Sequence, residues 1–271
     1  MEETIIKTLN TDEFKSYFEK LEVQPKELCL ELVQTIQKKH LSTFSFNNIA
    51  VLLEKDISLE ITNIVEKIVL KGLGGYCFEH NKLMHYALKS LGFNVRHVIA
   101  RVINNQDIDV PRTHRITILE FENSLYLLDV GFGPTSPTAP IKIEESKKST
   151  QKFRVRLNKS NNYQLEVYKN NAYICLYNFD LSIYTESDCI LGNFYSHKHP
   201  EAIFVNNLVV SLIYDNKTLS LKNRIFLIKD VDAKEAINIH NYQLLYKILN
   251  YYFNIKINKK ESEIIFAKLV D

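Results

Sequence analysis

Apolar side chains recur at helical spacing through the first third of the chain and at alternate positions over much of the rest. Phe14, Tyr17, Phe18 and Leu21 form one i, i+3, i+4, i+7 stripe, and Ile61, Ile64, Val65 and Ile68 form another. Met84, Ala87, Leu88 and Leu91 mark a third helix, over residues 78–91, with Gly92 as its stop. Such stripes face a core, and glycine favours the left-handed turn that ends a helix. Pro25 suits the first turn of a helix between the first two stripes, and Cys29 falls on its apolar face with Leu32, Val33 and Ile36. From Phe93 to about Asn178 the period shortens to two, the repeat of a strand. Strands are predicted at 93–102, 116–121, 124–130, 152–157 and 163–168, with Glu122-Asn123 and Asn170-Asn171 as turns. The polar stretch 134–150 reads as a loop. Beyond it the pattern predicts strands at 208–214 and 219–229 and a helix over 233–253. With no repeat and no low-complexity linker, the parts are expected to pack as one unit, divided at about residues 91 and 200.

Composition narrows the class. The 271 residues are 45% hydrophobic and 24% charged, the balance of an ordinary globular protein. A net charge of +2, with basic residues scattered, gives no nucleic-acid footprint. No apolar run approaches membrane-spanning length, and Met1-Glu2-Glu3 lacks the basic and apolar regions of a signal peptide. Four cysteines without a paired framework fit a reducing cytoplasm, where this chain is expected to reside. His197 and His199 form a His-x-His that no acidic or cysteine cluster completes, so they read as surface and no metal is expected.

Three short stretches carry chemistry: Gly74-Gly75-Tyr76-Cys77-Phe78-Glu79, Thr113-His114, and Asp129-Val130-Gly131-Phe132-Gly133. Cys77 falls at the start of the third helix, after a flexible Gly-Gly approach, where unpaired N–H groups and the helix dipole favour a thiolate or an oxyanion. A two-residue turn at 122–123 sets Asp129 opposite Ile116, and His114 lies two positions on along the same face. Asp129 is then a diagonal neighbour of His114, within side-chain reach, and a one-residue slip would separate them. A thiol, a base to take its proton and a carboxylate to orient the base make a nucleophilic triad. Each residue has a bland alternative: a lone cysteine is usually a small buried hydrophobe, as Cys29, Cys175 and Cys189 are read here, and a His–Asp pair is often structural. His80, three residues past Cys77, is a rival base without an obvious orienting carboxylate. Tyr76, Phe78 and Phe132, beside the triad, are read equally well as plain core.

Taken together the motifs resemble those of the arylamine N-acetyltransferase family. The likeness lies in Gly74 to Asn81, Arg112 to Ile118 and Tyr126 to Gly133, with Pro137 and Pro140 beyond, and more weakly in residues 40–53, 177–179, 193–204 and 219–227. The resemblance implies an α+β fold: an N-terminal helical bundle (1–91) carrying the nucleophile, a central antiparallel β-barrel (92–200) carrying His and Asp, and a C-terminal α/β lid (201–271), around a cysteine-protease or transglutaminase-like core. It implies Cys77, His114 and Asp129 as a catalytic triad. The implied reaction is ping-pong transfer of acetyl from acetyl-CoA, a cosubstrate, to an aromatic amine or hydrazine through an acetyl-cysteine. Coenzyme A contacts fall on Thr113, Gly131 and Gly133, and acceptor-pocket walls on Phe46, Tyr76 and Phe132. A Cys-His-Asp amide synthase or hydrolase acting on another thioester or amide is the alternative. Three positions depart from the family pattern. Leu73 stands where an Arg precedes Gly-Gly, Asn47 where a Glu follows Phe, and Pro134 where a further Gly follows Gly-Phe-Gly. Leu73 and Asn47 are expected to face each other, since losing both members of an ion pair leaves neither charge stranded.

Overall fold

The computed structural model describes residues 14–144, 151–158, 161–230 and 232–269. Helix α1 (Lys15–Leu21) buries Tyr17, Phe18 and Leu21, as the first stripe predicts. Pro25 lies outside any helix, and α2 (Leu30–Thr43) begins only after Cys29, which is its half-buried N-cap residue and not part of its core face. The stretch that follows holds a two-residue strand, β1 (Phe46–Asn47), and two short helices, α3 (Ile49–Leu52) and α4 (Ile61–Ile64). The last runs on into a π-helical turn, Val65–Leu70. Helix α5 (Cys77–Leu91) is capped by Gly92 at φ 102°, the left-handed conformation that glycine adopts without a Cβ clash.

Seven antiparallel strands form the larger sheet: β2 (Asn94–Val102), β3 (His114–Phe121), β4 (Ser124–Leu128), β5 (Ile141–Lys142), β6 (Phe153–Leu157), β7 (Tyr163–Lys169) and β8 (Ala172–Phe179), in the order β5-β4-β3-β2-β8-β7-β6. Its edge strands β5 and β6 approach each other, so the sheet nearly closes into a barrel around Val98, Ile116, Ile118, Leu127, Leu165 and Tyr177. The β3–β4 turn sets the register that matters for the site. Glu122 and Asn123 both have positive φ (47° and 57°), the two-residue hairpin the sequence predicts, and Thr117 pairs with Leu128. The 134–150 stretch is not all loop. Its described part holds a 3₁₀ turn, Gly133–Thr135, and β5, while residues 145–150, like Met1-Glu2-Glu3, lie outside the described residues.

Helices α6 (Glu186–Lys198) and α7 (Ile203–Asn206) lead to a second antiparallel sheet, β9 (Val209–Ile213), β10 (Lys217–Lys222), β11 (Ile225–Asp230) and β12 (Lys234–Asn238). The predicted single strand 219–229 is therefore a hairpin, turned at Asn223-Arg224, with Asn223 at φ 51°. The predicted helix 233–253 begins as β12, because Lys234–Asn238 pairs along β11, and becomes helical only from α8 (Tyr242–Lys247), which continues as a π turn, Ile248–Tyr252. Helix α9 (Lys259–Lys268) packs with α8 over this sheet, on a core of Leu219, Leu221, Phe226, Leu245 and Ile265. Strand β1 joins it as an edge, with Phe46 opposite Ser211. The same strand bridges Gly75, two residues before Cys77.

Candidate active site

Cys77 is the first residue of α5, after the extended Tyr76. Its thiol donates to the carbonyl oxygen of Thr113 at 3.5 Å. Burial pushes the thiol up, and the charge of Asp129 pushes the same way. Main-chain hydrogen bonds from Arg115 and Phe78 pull it back down. A positive charge beside the sulfur would favour the thiolate.

His114 opens β3. Its Nε2 lies 2.7 Å from Asp129 Oδ2. The β3–β4 ladder has Thr117 opposite Leu128, so Ile116 and Asp129 come next, as the turn length predicts, and the carboxylate reaches diagonally to His114. Every other polar atom bonded to Asp129 is a donor: Tyr177 Oη to Oδ2 at 3.0 Å, Asn81 Nδ2 to Oδ1 at 3.0 Å, and Gly131 N–H to Oδ1 at 2.8 Å. A carboxylate so surrounded can only accept, so the neutral imidazole carries its proton on Nε2 and its lone pair on Nδ1. The ring is held against Phe132 and Tyr177, with centroids 5.1 and 5.0 Å away.

Asn81 ties the three stretches together. It lies one helical turn after Cys77, donates to Arg115 O at 2.6 Å as well as to Asp129, and accepts from Val130 N–H at 2.9 Å. Gly131 is where the loop meets α5, and a Cβ there would stand 2.7 Å from Cys77 Cα and from Asn81 Nδ2. Its lack of a side chain serves this contact with the helix, a reason for glycine that the sequence pattern does not show.

These residues open on a cleft of about 390 Å³. Cys77, His114, Thr113, Gly131, Gly133, Phe46, Phe132 and Pro134 all line it, as does Phe204. Tyr76 does not. It is fully buried, with its hydroxyl on the side chain of Asn193, so its expected place in the acceptor wall is corrected. His80 points away into a buried chain of hydrogen bonds: Tyr17 Oη to His40 Nδ1 at 2.9 Å, His40 Nε2 to His80 Nδ1 at 2.7 Å, and His80 Nε2 to Ser45 O at 3.2 Å. With both ring nitrogens occupied it has no lone pair for Cys77. Leu73 and Asn47 do meet: Asn47 Nδ2 donates to the Leu73 carbonyl at 3.0 Å. The buried carboxylate of Glu79, meanwhile, is paired with Lys67 Nζ at 2.6 Å.

Comparison with known proteins decides the family. Residues 29–262 match the family model described as N-acetyltransferase. The arylamine N-acetyltransferase / N-hydroxyarylamine O-acetyltransferase of Salmonella typhimurium is 32% identical over 260 residues, covering 94% of this chain and 92% of its own length. The chain belongs to the arylamine N-acetyltransferase family. It is therefore an acyltransferase, and the family activity is acetyl transfer to arylamines. The solved structure of the Salmonella typhimurium enzyme superposes with a TM-score of 0.89 at 30% identity, over 95% of this chain and 98% of that one. The Mycobacterium tuberculosis enzyme gives a TM-score of 0.87 at 27% identity, over 93% and 99%. A structure of the Mycobacterium marinum arylamine N-acetyltransferase in complex with CoA shares the fold, with a TM-score of 0.87 at 24% identity over 94% and 98%.

Two positioning residues of this acetyltransferase escape sequence reasoning. Asn81 closes the first stretch of family likeness, four positions after Cys77, but nothing in the sequence gives it a role. Tyr177 opens the weak likeness at 177–179 and otherwise shows as an alternating aromatic in β8. His197 Nδ1 bonds the Asn193 carbonyl at 2.6 Å, and His199 stacks on Tyr195.

Proposed function

We propose that Cys77, His114 and Asp129 act as a triad in ping-pong transfer of acetyl from acetyl-CoA to an arylamine or hydrazine. The observation that supports this most is the 2.7 Å His114–Asp129 bond beside a helix-start cysteine in one cleft. His114 Nδ1 takes the thiol proton, and the thiolate attacks the thioester carbonyl. The Phe78 N–H, in the first turn of α5, is placed to donate to the oxyanion. Coenzyme A leaves with the proton from His114, and acetyl-Cys77 remains. The acceptor amine then attacks that thioester, His114 takes its proton, and Cys77 is released.

Within this reading Thr113, Gly131 and Gly133 line the path of the acyl donor, which the Mycobacterium marinum relative holds as CoA. Phe46 and Phe132, with Phe204, form walls against which an aromatic ring can stack. Residues 1–91 supply the nucleophile, 92–200 the base and its orienter, and 201–271 the cover. Intact-mass measurement after treatment with acetyl-CoA is expected to show one added acetyl group, on the peptide that carries Cys77. Cys77→Ala is expected to abolish it with the fold retained. Acetyl found on Cys29, Cys175 or Cys189 instead would overturn the assignment.

A further inference from the structure

The start of α5 is held by a buried ion pair that the triad does not use. Glu79, the third residue of the helix, turns its carboxylate back toward the chain that enters it. Its Oε2 accepts the N–H of Tyr76, the residue before Cys77, at 3.2 Å. The same carboxylate lies against Gly75, where a Cβ would stand 2.8 Å from Oε2. Gly75 in turn takes the Asn47 N–H on its carbonyl and bridges Phe46, a wall of the cleft. The Glu79 side chain is 1% exposed, and Lys67 Nζ meets its Oε1 at 2.6 Å. Lys67 lies in the π-helical turn Val65–Leu70, and its own carbonyl accepts the Leu73 N–H at 3.0 Å. The side chain and the backbone of one residue thus hold both ends of the approach 73–76.

A helix cap does not need this charge. A neutral glutamine at 79 would offer Tyr76 the same kind of oxygen, and a buried ion pair is often no more stable than a neutral replacement. A carboxylate grips an N–H more tightly, but beside a nucleophile its charge works against the chemistry. Burial and the Asp129 charge push the Cys77 thiol up, and the Glu79 charge pushes the same way. Uncompensated, it would oppose a thiolate two residues away. Among the described residues Lys67 is the only cation paired with Glu79, while Glu66 beside it is paired with Lys71. The remaining titratable groups around Cys77 are His114 and Asp129, Tyr76 and Tyr177, and His80. Burial raises both tyrosine hydroxyls and lowers His80 to about 4, so these three are neutral near pH 7.

We propose that Lys67 is a positioning residue for Cys77. Through Glu79 it fixes the Gly75–Tyr76 approach at the start of α5, and it offsets the carboxylate charge that would oppose the thiolate. The pair lies outside the lining of the cleft, so Lys67 acts through Glu79 and touches neither acyl donor nor acceptor. This role rests on the reading of Cys77 as the nucleophile.

The test is the pH dependence of Cys77 alkylation by iodoacetamide in the full chain, from about pH 6 to about pH 9, read by mass on the peptide that carries Cys77. Lys67→Met is expected to raise the midpoint by about half a unit, which is about threefold slower alkylation below the midpoint. Lys67→Arg keeps the charge and is expected to restore the unaltered profile. Glu79→Gln keeps an acceptor for Tyr76 and removes the opposing charge, so its midpoint is expected to fall. The Lys67→Met/Glu79→Gln double variant carries no unpaired buried charge, and its midpoint should lie between those of the two single variants. A purely structural cap would slow alkylation in both single variants without moving the midpoints in opposite directions, and that result would overturn the proposal. So would a Lys67→Arg profile that matches Lys67→Met. Where Lys67→Met fails to fold, the double variant must still have a higher midpoint than Glu79→Gln, and equal midpoints would overturn it. Alkylation does not depend on acetyl transfer. If acetyl-CoA fails to label Cys77, the triad reading falls, while the midpoints still decide whether Lys67 acts on this thiol.

Discussion

Asp129 is the residue on which the site geometry turns. Its four hydrogen bonds draw on β3, β8, α5 and its own loop, through His114, Tyr177, Asn81 and Gly131. Asp129→Asn keeps the size of the side chain and replaces one acceptor by a donor. His114 is then drawn to the tautomer that presents a proton to Cys77. The expected outcome is a fall in kcat/KM of about 10³–10⁴-fold with the fold intact, measured by single-turnover acetyl transfer. Tyr177→Phe removes one donor only and is expected to lower kcat roughly tenfold, with KM for the acyl donor little changed. Near-full activity in Asp129→Asn would remove Asp129 from the proposed mechanism. The sequence makes the pair legible because type, order and one hairpin loop fix it locally: His114 and Asp129 are 15 residues apart across a single turn. Asn81 and Tyr177 each reach Asp129 across 48 residues and through elements whose relative placement no local pattern specifies.

At the level of elements, the helix that carries the thiol and the loop that carries the carboxylate are fixed by close backbone contact. Gly131 is the contact point, since a Cβ would come within 2.7 Å of Cys77 Cα. Gly131→Ala therefore has to push the 129–133 loop off α5. Overpacking of this kind destabilises by about 1–3 kcal/mol. Because the displaced groups are the ones that set the Cys77 and His114 geometry, activity is expected to fall far more than stability does. Urea unfolding and acetyl-transfer rates measured on the same preparation separate the two effects, and a loss of stability with unchanged kcat/KM would show that the contact does not position the site. The third helix and the β3–β4 hairpin are readable from sequence because periodicity, a glycine stop and a two-residue turn agree there. Elsewhere local signals mislead. Pro25 suits a helix first turn and Cys29 matches a helical stripe, but α2 starts after both. Residues 219–229 alternate through the turn at Asn223-Arg224, which hides the hairpin. Lys234–Asn238 has the composition of a helix, yet its pairing with β11 overrides that propensity.

Across the whole molecule the N-terminal helices, the nucleophile helix and the second sheet meet at buried histidines that are held neutral. His40 and His80 bridge α2 and α5, and His80 reaches Ser45, whose hydroxyl in turn donates to Phe253 O beyond α8. The directions of the bonds are fixed by their ends. Ser45 O accepts, so His80 donates from Nε2 and accepts at Nδ1, His40 donates from Nε2, and Tyr17 donates to His40 Nδ1. An added proton on either ring breaks this order. Burial holds His80 down at about 4 and His40 well below the usual imidazole range, with the charge of His80 adding to the effect on His40. Unfolded histidines titrate near 6.5, so between about pH 6.5 and 4 the unfolded chain binds protons that the folded chain refuses. Stability is therefore full above about pH 7 and declines as pH falls toward 4, by on the order of 2–3 kcal/mol for His80, with His40 acting in the same direction. Carboxylates do not cloud the upper part of this window. Glu186, brought down to about 2 by the hydrogen bonds and charges of Arg115 and Lys82 against the opposing pull of burial, loses its contribution only in more acid solution. Urea midpoints measured from about pH 7.5 to about pH 5, in a buffer free of sulfate and phosphate, are expected to fall steadily. His80→Gln keeps a donor for Ser45 O and an acceptor for His40 without a titrating group, so its midpoint should fall less steeply over the same range. A flat profile in the unaltered protein, or equal slopes in the two proteins, would show that the His40–His80 chain is not kept neutral by folding.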